Sequence, residues 1–171
     1  VKSGGKIVSA EGDGKYKNIH ELLYSCDMLI DGVLGTGFKL PMKSEIGIIL
    51  QNIKNYLKEL EFHPVIVAVD CPSGVDSNTG AVSVESVAAN FTICMAAIKQ
   101  GLLKLPAFGF VGEIREVEIG FNKKNSSISS IKNQVAGIDL IRTLLIPRPL
   151  DAHKGTFGTA LIVAGSLNYT G

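Results

Sequence analysis

Residues 65–80 read VIVAVDCPSGVDSNTG. Val65 to Val69 is an unbroken, mostly β-branched apolar run. That is the pattern of a strand buried on both faces, and such strands belong to parallel sheets covered by helices. Asp70 follows at once, then Cys71, Pro72, Ser73 and Gly74. In open α/β sheets, ligands bind beyond the carboxyl ends of the strands. An aspartate there, partly desolvated by the strand behind it, suits a proton donor and acceptor. The plainer reading, an Asx-type turn held by Asp70 and Ser73, stands beside it.

Outward from this stretch, helical and strand patterns alternate. Ser44 to Leu60 predicts an amphipathic helix, with Ile46, Ile49, Leu50, Ile53, Leu57 and Leu60 recurring at helical spacing and Pro64 closing it. Met28 to Leu34 predicts a strand that runs into Gly35-Thr36-Gly37, and Asn18 to Cys26 a short helix with Asn18 as N-cap. Phe91 to Ala97 predicts a further strand. Gly112 to Phe121 alternates apolar and charged residues, as an edge strand with one wet face does. The expected fold is α/β: a Rossmann-like three-layer α/β/α arrangement with a mostly parallel sheet, incomplete at its N-terminus. Polar Asn122 to Gln134 predicts a linker, Ile138 to Leu145 a short helix, and Thr159 to Ala164 another buried strand. The organisation expected is a domain over 1–121, a linker over 122–136 and the start of a second domain over 137–171.

Composition narrows the function. The chain has 171 residues, 46% hydrophobic and 19% charged, with 19 glycines, which suits a globular protein with tight, ligand-facing loops. A net charge of +1 gives no electrostatic case for nucleic acid or a membrane surface. No apolar run approaches the ~20 residues that span a bilayer, and the N-terminal stretch lacks the apolar segment of a signal peptide. Three scattered cysteines, Cys26, Cys71 and Cys94, and three scattered histidines show no zinc spacing and fit a reducing cytoplasm. The chain begins with Val1 and stops at Gly171 just after an apolar run, so a fragment is expected.

Several residues are candidates for chemistry. Gly35-Thr36-Gly37 lets backbone approach a ligand, or simply makes a turn; it matches neither GxGxxG nor a Walker A sequence. Asp31 interrupts an apolar strand, where a carboxylate needs a partner or a cation; a loop-capping aspartate is the alternative. The Ser73 hydroxyl and nearby carbonyls suit a hard cation shared with Asp31. Lys99, after another apolar strand, holds an anionic ligand group, pairs with Asp70, or is an ordinary surface lysine. His153 to Gly158, HKGTFG, is a polar-glycine loop before a strand, or a simple connection.

In this order the pieces resemble a known family. LIDGVLGTGFKLP, VAVDCPSGVDSNTGAV and AAIKQGLLKLPAFGFVGEIREVEIGF are similar to the later part of the NAD(P)H-hydrate epimerase (YjeF N-terminal) domain. IPRPLDAHKGTFGTALIVAGSLNYTG is similar to the opening of the ADP-dependent NAD(P)H-hydrate dehydratase domain, which is ribokinase-like. The resemblance implies epimerisation of the R and S forms of hydrated NADH and NADPH, coupled to dehydration that uses ADP or ATP. It implies a potassium ion held by Asp31 and Ser73 and a substrate loop of Gly35, Thr36, Gly37, Phe38, Lys39, Leu40 and Pro41. Asp70 contacts substrate as candidate acid/base, and Lys99 supports it. The family's asparagine-glycine phosphate loop is not found in Val1 to Lys17, so this stretch by itself is expected to be inactive. A homo-oligomer is expected. Two alternatives are a non-catalytic binding or dimerisation module of the same type, and a ribokinase-like sugar kinase fragment. Asp31, Asp70 and Ser73 together speak against a pure scaffold.

Overall fold

The computed structural model describes residues 4–10, 12–120, 132–145, 147–163 and 165. The chain divides into two compact units, Val1–Asn122 and Lys123–Gly171. In the first, strands β1 (Met28–Asp31), β2 (Val65–Val69), β3 (Phe91–Met95) and β4 (Glu113–Val117) form one wholly parallel sheet in the order β1-β2-β3-β4. This is the Rossmann-like α/β arrangement the sequence patterns predict, with alternating β4 at an edge. Strand β1 stops at Asp31 rather than at Leu34, so Asp31 ends the strand instead of interrupting it.

Side chains alternate between the two faces of a sheet, and here the faces differ. Asp31, Ala68 and Thr92 stand in register on one face, and all three are buried. Cys94 and Ile114 of that face meet Cys71, Val75 and Val82 from the loop after β2, and Leu102, Ala107 and Val111 from the segment after β3, to make the core. Thr92 lies in this core because its hydroxyl donates to Val111 O (2.7 Å). On the other face Met28 (54% exposed), Ile30 (63%) and Val65 lie open. The expectation that β2 is buried on both faces is therefore corrected: of its five residues only Ala68 is fully covered.

Helix α1 (Lys17–Ser25) and helix α2 (Ser44–Glu59) pack on each other, with His20 stacked on Tyr56 at 4.0 Å between ring centroids. The periodic apolar stripe of α2 buries Leu50 and Leu57. Asn18 is not the N-cap of α1. Asp13 takes that part, accepting from the backbone N–H groups of Asn18 (3.2 Å) and Ile19 (3.3 Å), two of the donors a helix start leaves unpaired.

In the second unit, helix α3 (Ile138–Leu144) forms where expected. The strand expected over Thr159 to Ala164 does not form among the described residues. Leu161, Ile162 and Val163 are 89%, 83% and 90% exposed, with no described strand paired to them, and an apolar run without a ladder partner has nothing to fix it as a strand. Most of the expected linker, residues 122–131, lies outside the described residues. No helix among the described residues is long and apolar enough to cross a membrane.

Two consequences are measurable. Gly112 has φ +60°, and a Cβ there would sit 2.2 Å from Asn90 O, which accepts the first amide of β4 from Glu113 (2.9 Å). Gly112→Ala therefore destabilises the fold by roughly 2–4 kcal/mol in urea unfolding, whereas Gly109→Ala, with open space at Cβ, changes it by at most about 0.5 kcal/mol. The Cys71 thiol is pushed up to about 11, by burial first and then by the neighbouring Asp70 carboxylate. The unfolded thiol ionises near pH 9, so above that pH the unfolded state binds fewer protons than the folded state. Stability falls by about 2–3 kcal/mol between roughly pH 9 and 11, and Cys71→Ala flattens that slope in unfolding curves measured across the range.

Candidate active site at the strand ends

The carboxyl ends of β1, β2 and β3 converge on one region, and each delivers polar groups to it. At the end of β1, the Asp31 carboxylate is 9% exposed and accepts three hydrogen bonds. Its Oδ2 accepts from Ser73 N–H (2.7 Å). Its Oδ1 accepts from the Ser73 hydroxyl (2.5 Å) and, at 3.4 Å, from Val33 N–H. The Ser73 Oγ in turn accepts from Leu34 N–H (2.9 Å). One serine thus ties the end of β1, the turn after β2 and the start of the glycine loop together.

That turn requires Gly74. Its φ is +88°, and a Cβ would lie 2.2 Å from Ser86 Oγ and 2.6 Å from Met42 Cε. Beyond it, Asp76 organises a tight loop: Oδ1 accepts from Asn78 N–H (2.9 Å) and Thr79 N–H (3.0 Å), which hold its carboxyl below the usual range. This loop carries Ser77, whose hydroxyl donates to Thr36 O (3.2 Å). The glycine loop is therefore pinned twice, at Leu34 by Ser73 and at Thr36 by Ser77.

A cleft of about 490 Å³ opens over that loop. Gly35, Gly37, Phe38, Lys39 and Pro41 of the expected substrate loop line it, with Lys43 and Ile46 from the start of α2; Thr36 and Leu40 do not. Two lysines and no carboxylate face the cleft, which favours an anionic ligand.

Asp70 stands at the end of β2 with a left-handed backbone, φ +71°. Its carboxylate contacts the Lys99 ammonium and accepts from Met95 N–H (3.0 Å), and Lys99 Nζ also donates to Met95 O (2.9 Å). Both side chains are largely shielded from solvent, 13% and 21% exposed. Of the readings open for Lys99, the structure has the pairing with Asp70. The structure thus brings Asp31 with Ser73, and Asp70 with Lys99, as two linked pairs three residues apart along one turn; neither pair lines the cleft itself.

Among the described residues no group of three or more His, Cys, Asp and Glu side chains gathers as a metal site. An oxygen-only site is a different matter. A carboxylate has about four acceptor positions and a hydroxyl two. Asp31 uses three and Ser73 one, so each keeps a free lone pair, and the two oxygens fit as part of the shell of a hard monovalent cation. Sequence reading missed Ser77 and Asp76. Serines in loops are common, and only the fold brings Ser77 to Thr36, 41 positions away.

Residues 1–101 match the family described as YjeF-related protein N-terminus. The chain is 28% identical to the bifunctional NAD(P)H-hydrate repair enzyme of Moorella thermoacetica over 99% of its length and 31% of that protein's. It is 30% identical to the enzyme of the same name from Thermofilum pendens, over 100% of its length and 31% of the relative's. With the one from Vibrio cholerae the identity is 32%, over 91% and 30%. The chain thus spans a little under a third of the length of these relatives. With the site at the ends of β1 and β2 inside the matched residues, the chain belongs to the YjeF-related protein N-terminus family.

Proposed function

We propose that this chain carries the epimerase site of an NAD(P)H-hydrate repair enzyme, interconverting the R and S forms of hydrated NADH and NADPH. The observation that carries the reading is the shielded Asp70–Lys99 pair at the end of β2, in the same turn as the Ser73 that pins the glycine loop lining a cleft with two lysines. The relatives' names supply the substrate class. Lys39 and Lys43 suit the phosphates of a dinucleotide, and the apolar Phe38 and Ile46 suit its rings.

The chemistry asks for one proton donor and one acceptor. Loss of the ring hydroxyl as water needs a proton and leaves an iminium cation on the ring; water then returns to the opposite face and gives up a proton. An Asp70 carboxylate against a Lys99 ammonium performs this in a closed cycle. A proton leaves the pair to the departing hydroxyl, and the pair regains one from the water that adds. Net charge on the pair is zero at rest, and it ends as it began. The proton given up originates on the Lys99 ammonium and passes through the Asp70 carboxylate it contacts, and the proton released by the adding water returns to Lys99 by the same contact. Asp31 and Ser73 would hold a potassium ion, which supplies a fixed positive charge when bound. Residues 137–171 belong, in the same reading, to the opening of a dehydratase that uses ADP or ATP. There the His153–Gly158 loop is a compact turn, with His153 N–H donating to Thr156 Oγ1 (2.9 Å) and Gly155 N–H to His153 Nδ1 (3.2 Å).

The test is the rate at which the natural protein converts purified R-hydrated NADH to the S form, followed by chromatography. Asp70→Asn lowers kcat by roughly 100-fold or more, and Lys99→Met by roughly tenfold or more. A wild-type rate in Asp70→Asn removes Asp70 from the mechanism. Asp31→Asn leaves Ser73 N–H and Oγ facing an amide in place of a carboxylate; it raises KM and weakens any dependence of the rate on potassium. A potassium response equal to wild type excludes the cation from this site.

A further inference from the structure

Strands β2 and β3 end in the same unusual way. Cys71 N–H donates to Val69 O (2.9 Å) around Asp70, whose φ is +71°. Ala97 N–H donates to Met95 O (2.8 Å) around Ala96, whose φ is +65°. A hydrogen bond spanning one residue, with positive φ at that residue, is the rarer and more strained form of γ-turn. Left-handed backbone outside glycine costs free energy that the surroundings must offset.

The two turns interlock where the sheet's ladder stops. The strands run parallel with Val69 opposite Ile93, and the last regular rung is Asp70 N–H to Ile93 O (2.8 Å). The next would take Met95 N–H to the Asp70 carbonyl and the Met95 carbonyl to the amide of residue 72. Residue 72 is proline and has no amide hydrogen. The Asp70 carbonyl instead lies 3.6 Å from Cys94 Sγ. Side chains replace the missing rung. Met95 N–H donates to Asp70 Oδ1 (3.0 Å), and Met95 O accepts from Lys99 Nζ (2.9 Å). The charge pair therefore occupies the place of a backbone pair. Ala96 N–H, anchored on Val117 O (2.9 Å), fixes the point at which the chain turns back toward Met95 with Lys99 three residues on.

We propose that Ala96 is a positioning residue, whose left-handed turn brings Lys99 back onto the Met95 carbonyl and so holds its ammonium against the Asp70 carboxylate. Its effect on turnover rests on the reading of that pair as the reacting groups; its effect on the geometry does not. A side chain branched at Cβ is disfavoured at positive φ, while glycine adopts it freely.

The experiment is a double-mutant cycle, Asp70→Asn with Lys99→Met, read by urea unfolding in three backgrounds: the unaltered chain, Ala96→Val and Ala96→Gly. Ala96→Val reduces the coupling between the pair by roughly fivefold or more in the unfolding constant, and Ala96→Gly leaves it within roughly twofold. Where Ala96→Val does not fold, Ala96→Leu carries the same comparison. In parallel kinetics of the natural protein, Ala96→Val lowers kcat while KM stays within roughly twofold, the mark of a group displaced at the reacting centre rather than of weakened binding. Equal coupling in all backgrounds, or an equal loss in Ala96→Gly, overturns the proposal whatever the kinetics do. Coupling lost in Ala96→Val from a protein that shows no epimerisation keeps the positioning role and overturns instead the reading of the pair as reacting groups.

Discussion

A buried carboxylate dictates how the strand ends meet. Asp31 is shielded at the end of β1, and an anion there is tolerable only with donors close around it. Ser73 supplies two of them, one from its backbone and one from its hydroxyl. For both to reach Asp31, the chain after β2 must fold straight back across β1. That demand explains Gly74: with φ +88° and Ser86 and Met42 against it, no side chain fits at the position after Ser73. It also explains the placement of the glycine loop, because Leu34 N–H is held by the same Ser73 oxygen that donates to Asp31. One polar contact, made across 42 positions of sequence, thus sets the turn, the loop and the floor beside the cleft.

The constraint next to it comes from the sheet. A parallel ladder leaves unpaired amides and carbonyls where its strands stop. At the end of β2 the chain has a proline two residues past Asp70, so the ladder with β3 cannot continue by backbone alone. Asp70 and Lys99 meet that deficit while remaining a charge pair. The pair is held by Met95 N–H, which donates to Asp70, and by Met95 O, which accepts from Lys99 as well as from Ala97 N–H. Groups fixed by the backbone in this way need little reorganisation when charge shifts between them.

Much of this was legible in the sequence, for reasons that differ from residue to residue. The β-branched run Val65–Val69 marked a strand of a parallel sheet and placed Asp70 at its mouth, and the structure has both. The apolar period of α2 and the alternation of β4 were equally plain. The burial of β2 was over-read, because an apolar run reports what a strand can tolerate on each face, not what covers it; Met28, Ile30 and Val65 share an open face. Thr159 to Val163 failed likewise, since a strand needs a partner that local sequence does not name. Asn18 looked like a cap by residue type, yet Asp13 takes the amides of Asn18 and Ile19 from five and six positions away. Asp31 and Ser73 were visible separately as polar residues in costly places. That they bond each other, and that Ser77 grips Thr36, are facts of topology. The γ-turn at Ala96 has no residue signature, and that at Asp70 only the weak tolerance of aspartate for positive φ.

The two aspartates of the site show why environment, rather than residue type, assigns a role. Asp31 is surrounded by two amides and a hydroxyl, all neutral, so its negative charge is solvated but not cancelled. Asp70 meets one amide and one ammonium, so its charge is cancelled and a proton has a short path across the contact. The same side chain thus sits among neutral donors at the end of one strand and against an ammonium at the end of the next. Ser73 lies between them in the turn, three residues from Asp70 in sequence and 2.5 Å from Asp31 in space. Displacing Asp31 therefore frees two donors of Ser73 within the turn that carries Asp70.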